Sequence, residues 1–294
     1  MVSDDRPAPA LDPGQVARAY RAVEPLHSHV YFVPETEAHL TAIGLRPGRM
    51  VYFAGRAAPM GAVGPGVVTA TFANFSPAIV ARHVPRAWTL ATPEQVVTAR
   101  LASARASLTR LLGGEQAAAA PEVAELGDLL AEACQVLTLE GRPLYAGHAD
   151  LPWPGDPVGR LWHAATLLRE WRGDAHVAVL DRSGLSGLEA LVTHTATGRG
   201  FTPAAAKATR GWTDEEWAAG CAGLTARGLL DGEALTDAGR ALRADVEATT
   251  DALSAAPWAA LGPERTARVV ELGKRLSATL VGNGAYPAGV FAGR

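Results

Sequence analysis

A degenerate internal repeat constrains this chain more than any other feature of its sequence. The segment FSPAIVARHVPRAWT from Phe75 returns as FTPAAAKATRGWT from Phe201, so that Phe, a hydroxyl residue, Pro and Ala are followed in both by Arg-x-Trp-Thr. Upstream, YFAGRAAPMG from Tyr52 stands where EWRGDAHVAV stands from Glu170; downstream, ELGDLLAEA from Glu125 returns as ELGKRLSAT from Glu271. The three landmarks keep their order while the spacing between copies widens, as insertions in the second copy require. Self-similarity on this scale points to one supersecondary unit used twice. The expected division is a mobile, polar N-terminal tail over residues 1–14, a first helical unit over 15–155 and a second over 156–294. The turn-rich GRPLYAGHADLPWPGDP would be the linker.

A length of 294 residues suits two units of about 150 each. Hydrophobic residues make up 48% of the chain but aromatics only 6%, which favours helices packed through small side chains. The expected fold class is therefore mainly α, two pseudo-two-fold-related repeats with short β-hairpins. Helical periods and caps place helices over 13–22, 35–43, 67–73, 77–83, 93–112 and 122–137, then over 158–169, 187–196, 203–209, 213–227, 236–255 and 263–280. Thr92 before Pro93 and Thr202 before Pro203 set a capping hydroxyl ahead of a proline at the first helical position. Thr213 with Glu216 is a capping box. The best strand candidates are HVYFVP around Tyr31 and MVYFAG around Tyr52, short and rich in β-formers.

Charge and cysteine content narrow the function classes. The formal charge of −3 argues against an extensive phosphate-binding surface. Cys134 and Cys221 lie far apart without a Cys-x-x-Cys or a neighbouring His at metal spacing, so buried free thiols are expected. No run approaches the roughly 18 apolar residues that cross a bilayer, and a cytoplasmic location is expected.

LTARGLLDGEALTDAGRALRADVEATTDAL, from Leu224, resembles the end of a MarR-type winged helix. Leu224, Arg227, Gly228 and Leu229 match the end of the recognition helix; Leu235, Thr236, Gly239 and Arg240 match the opening of the long helix after the wing. The resemblance covers about residues 186–253 and implies a helix-turn-helix with a two-stranded wing. The whole chain, through FAGRAAPMG, RGDAH and RGWTDEEW, also resembles an uncharacterised actinobacterial family described only as helix-turn-helix proteins. The presumed recognition helix, however, opens on Asp214, Glu215 and Glu216 with Arg227 as its one base, and carboxylates there meet phosphates unfavourably. The wing, DGEA at 231–234, has no arginine. Arg100, Arg105 and Arg110 recur every five residues and turn about 140° from one to the next, so they make no basic stripe.

Chemistry-bearing residues gather in three places. His27 and His29 flank Ser28 and, if extended, share a side with Tyr31, forming a polar wall or a solvated loop edge. GRAAPMG, too broken for a helix interior, would present backbone N–H groups beside Arg56, with Met60 nearby, to an anionic ligand. Its counterpart RGDAH holds Arg172, Asp174 and His176; in extended backbone Asp174 and His176 share a face, and the carboxylate would orient a basic imidazole. Asn74 and His194, just before the two Phe-Ser/Thr-Pro units, are further polar candidates. Taken alone, each motif also fits a purely structural role.

Matched turns of a duplicated fold tend to meet across the pseudo-symmetry axis, and such seams are preferred ligand sites. The functional expectation is a small-molecule-binding protein of specialised metabolism with its site between the halves. DNA binding would have been shed from the inherited fold, and no membrane association is expected. This reading is compatible with cofactor-independent acid/base catalysis by His176 and Asp174, and with a homodimer. The residues expected to meet the ligand are His27, His29, Tyr31, Arg56, Met60, Asn74, Arg172 and His194. The sequence implies no cofactor and no metal. The alternative expectation is a MarR-like, ligand-responsive DNA-binding regulator.

Overall fold

Proline sets where most helices of this chain begin. In the computed structural model, which describes residue 11 and residues 13–287, the helices are α1 (Pro13–Ser28), α2 (Pro34–Ala42), α3 (Arg49–Ala57), α4 (Pro65–Phe72), α5 (Pro77–Ala87), α6 (Pro93–Leu112), α7 (Glu115–Ala118), α8 (Pro121–Ala133), α9 (Pro143–Ala149), α10 (Pro157–Arg182), α11 (Gly187–Thr195), α12 (Pro203–Arg210) and α13 (Asp214–Ala226). A hairpin follows, β1 (Leu230–Asp231) antiparallel to β2 (Ala234–Leu235), then α14 (Asp237–Leu253) and α15 (Ala256–Gly282). Proline's fixed φ and missing N–H suit the first turn, where that donor has no partner anyway. Thr92 and Thr213 close capping boxes with Gln95 and Glu216, and Thr202 accepts from Ala205 N. The expectation of a mainly helical fold holds. The expected N-terminal tail falls outside the described residues except for Leu11, Pro13 and Gly14, the last two opening α1.

Several expectations need correction. Neither strand candidate is a strand: HVY at 29–31 is a 3-10 turn ended by Pro34 of α2, and MVYFAG lies in α3. Met50, Phe53, Ala54 and Ala57 recur with helical period and all are buried, so helix formation covers an apolar stripe that a strand would split between two faces. GRAAPMG is the last turn of α3 followed by a 3-10 turn, Ala58–Met60, rather than an open loop. RGDAH is not extended; it sits mid-way along α10, which runs on from the expected helix to Arg182. The presumed linker contains α9, with Leu144, Tyr145 and His148 buried. Within α15, Gly262 adopts φ +77° before Pro263, a break that leaves 263–280 as the expected helix.

The main core draws on both expected units at once, joining residues of α1, α6, α8, α10 and α15. Two helices cross from one expected unit to the other: α8 packs on α10, which opens the second expected unit, and α15 packs on α1, which opens the first. α8 lies on α10, where a Cβ at Gly127 would stand 3.4 Å from Leu161 N, and α15 lies on α1, where a Cβ at Gly273 would stand 3.1 Å from Ala22 O. Glycine at these two matched positions lets backbones approach closely. Smaller cores gather around α2–α6 and around α11–α14 with the hairpin. The two Phe-Ser/Thr-Pro segments also touch: Ser76 N donates to Arg210 O at 2.9 Å, and the Trp212 indole donates to Asn74 O at 3.0 Å.

Candidate functional site

α10 carries the chemistry of the molecule, because it is surrounded by helices and still bears charged side chains. At its centre Glu170, fully buried, accepts from Arg56 through both oxygens (3.2 and 3.0 Å) and from Arg169 at 2.6 Å. Two guanidiniums hold this carboxyl well below the usual carboxylate range against the upward push of burial. His27 stands 4.0 Å from the same carboxylate, its ring bonded to Thr166 Oγ1 at 2.8 Å and Tyr31 OH at 3.0 Å. Burial, with Arg169 close by, keeps the His27 ring neutral. Thus Arg56 does meet α10, but through an ion pair with Glu170 and not with its guanidinium free for an anion.

The remaining candidates are dispersed. His29 parts from His27 because two positions on a helical turn diverge by about 200°; it bonds Leu26 O at 3.1 Å and Ser107 Oγ at 2.9 Å. The same geometry separates Asp174 from His176, so the expected orienting pair does not form. Asp174 instead accepts from the first N–H groups of α9, Leu144 at 3.0 Å and Tyr145 at 2.9 Å, and burial raises its carboxyl to about 6. His176 bonds Thr250 Oγ1 at 2.9 Å on α14. Met60 packs, partly buried, against the small core that contains Phe53 and Phe72, and Asn74 uses its backbone carbonyl for Trp212. Arg100, Arg105 and Arg110 point to three destinations, His148 and Tyr31, Asp156 and Glu35. Cys134 is buried and Cys221 half-buried, both free.

Three candidates do converge. Arg172, His176 and His194 line a cleft of about 910 Å³ between α1, α10, α11, β2 and α14. Six arginines (21, 169, 172, 199, 240 and 243) face three carboxylates (Glu24, Glu247 and Asp251) across it. Glu247 and Asp251 clamp Arg172, at 3.4 and 2.9 Å, and Glu247 also receives Arg243 at 2.7 Å. The Nε atoms of Arg172 and Arg243 are buried with no hydrogen-bond partner. Burial, reinforced by Arg172 and Arg243 and opposed by Glu247, lowers the His176 pKa to about 4, leaving a neutral imidazole at pH 7. Among the described residues, no three His, Cys, Asp or Glu side chains gather as metal ligands, and no helix is long and apolar enough to cross a membrane.

Sequence reasoning missed Glu170, Arg243 and Glu247. Glu170 had a signal: it is the one acid within the apolar run of α10, between Leu168 and Trp171, where an unpaired charge is not tolerated. Arg243 and Glu247 carry no such signal, since their i,i+4 spacing is that of any helical ion pair.

No curated protein and no solved structure matches the chain significantly. A family model described as a helix-turn-helix family matches residues 16–287. The chain therefore belongs to this helix-turn-helix family.

Proposed function

We propose that this protein binds a small organic anion in the arginine-lined cleft between its helix-turn-helix unit, α11–α14, and the α1–α10 frame. The observation that carries this reading is the cleft's surplus of cations, six arginines to three carboxylates, with the Arg172 and Arg243 Nε donors buried and unpaired. A buried donor without an acceptor is costly, and an anionic ligand would supply the acceptor. Any proton transfer in the cleft falls to its two imidazoles, His176 and His194, whose pKa values burial lowers; Asp174, committed to the start of α9, has no part in it.

We further read α11–α14 with its hairpin as a MarR-like winged helix and the chain as a duplication, 15–155 and 156–294, in which α8 packs on the second half and α15 on the first. The matched glycines Gly127 and Gly273, each at a close helix crossing, support the duplication. Family membership favours a second reading, a DNA-binding regulator. Charge opposes it: Asp214, Glu215 and Glu216 are all exposed at the start of α13, and Arg227 is already engaged by Glu189 and Gly184 O. Melting curves with citrate, phthalate and adenosine monophosphate at low ionic strength test the proposal. At least one should raise Tm saturably, and Arg243→Gln should remove the rise. A retarded fragment of the protein's own promoter with a steep salt slope, and no response to any anion, would install the DNA reading instead.

A further inference from the structure

A second cavity, of about 560 Å³, opens on the Arg56 side of Glu170, between α2, α3 and α6. It is separate from the arginine-lined cleft, which Arg169 borders from the other side. Tyr31, Phe32 and Tyr52 give it an aromatic wall, with the Tyr31 and Tyr52 ring centroids 5.1 Å apart. Arg49, Arg56 and Arg100 face it, against a single carboxylate, Glu37.

Arg100 is the unusual member. It is 3% exposed, and among the described residues no carboxylate lies within ion-pair distance of it. Its guanidinium reaches only neutral groups, Nη1 to His148 Nε2 at 3.1 Å and Nη2 to Tyr31 OH at 3.2 Å, and lies 5.1 Å from the centre of the Trp162 ring. Burial and the guanidinium itself drive the His148 pKa to about 3, so that ring supplies no charge. Glu170 offers no relief, being shared already by Arg56 and Arg169. A buried cation facing only neutral partners is a standing cost that the fold does not recover by itself. Arg56, by contrast, is neutralised where it stands.

We propose that this cavity is a second binding site, for a monocarboxylate with a flat aromatic or conjugated body: the carboxylate pairs with Arg100 and the body lies against Tyr31, Phe32 and Tyr52. One deep surplus guanidinium matches one negative charge, and its planar fork fits a carboxylate. The aromatic wall favours a flat apolar body, and the volume lies within the roughly 300–1,000 Å³ of small-ligand pockets.

Isothermal titration of the full chain with benzoate, trans-cinnamate and indole-3-acetate, each beside its neutral amide, tests the assignment. At least one carboxylate should bind one site about tenfold or more tighter than its amide. Arg100→Met should erase that preference and Arg243→Gln, in the other cleft, should keep it. Should Arg100→Met fail to fold, the wild type and Arg243→Gln must still show a Tm rise with the carboxylate that its amide does not give. No saturation by any of the three up to about 10 mM, equal binding of acid and amide, or loss on Arg243→Gln with retention on Arg100→Met would overturn it. These outcomes are independent of the polyanion response of the arginine-lined cleft, so either site fails without the other.

Discussion

Mild acidification should strongly destabilise this protein, because it buries neutral histidines that an unfolded chain would protonate. The His29, His163 and His176 pKa values are lowered to about 4, His148 to about 3, and His27 well below the ordinary value, with burial the first cause in every case. A folded-state pKa below the unfolded one means the unfolded chain binds more protons between the two values. Stability is then fully present above the unfolded pKa of about 6.5 and drains away as pH falls towards the folded values. For one such histidine the loss from about pH 6.5 to about pH 5.5 is roughly 1 kcal/mol, so His29, His148, His163 and His176 together give about 4 kcal/mol, and His27 acts in the same direction. Asp174 works the other way: its carboxyl is raised to about 6, so the folded state gains protons there first and returns somewhat under 1 kcal/mol. A net loss of about 3 kcal/mol over that single pH unit is a large share of the roughly 5–15 kcal/mol that stabilises a typical native protein. Urea unfolding followed by circular dichroism at several pH values between about 7.5 and 5.5 measures it directly. A loss below about 1 kcal/mol across the last unit would refute the reasoning, because the histidines would then have to titrate alike in the folded and unfolded chains.

Other perturbations follow from single contacts. Glu170→Gln leaves Arg56 and Arg169 without their shared anion and should cost about 3–5 kcal/mol in urea titration, against under about 1 kcal/mol were the cluster solvated. Replacing His163, whose buried Nε2 has no partner, with Leu should leave stability at pH 7 unchanged or slightly higher and reduce the acid slope by about one proton. A Cβ at Gly239 would stand 2.1 Å from Leu229 O, so Gly239→Ala should selectively lower hydrogen-exchange protection in the hairpin and α14; uniform protection would contradict this packing. Thr213→Ala removes an exposed cap and should cost about 1 kcal/mol in chemical denaturation without altering ligand-induced Tm shifts.

What the sequence determined by itself was local. Helix starts were legible because a capping hydroxyl and a following proline act within one turn, and α6 runs over Pro93–Leu112 as its period predicts; the hairpin at Leu230–Leu235 was implied by the family resemblance and not by local strand signals. The divergence of Arg100, Arg105 and Arg110 followed from helix geometry alone. MVYFAG went wrong because a short run of β-formers fits either period until the facing surface is known. Tertiary structure decided everything that depends on distant partners. Arg56 and Glu170 are 114 positions apart, α8 packs on α10 and α15 on α1, and Asp174 spends its carboxylate on α9. Those pairings, and the burial that keeps the histidines neutral and Arg100 uncompensated, are set by which helix faces exclude water together, a property of the packed molecule that no stretch of its sequence contains.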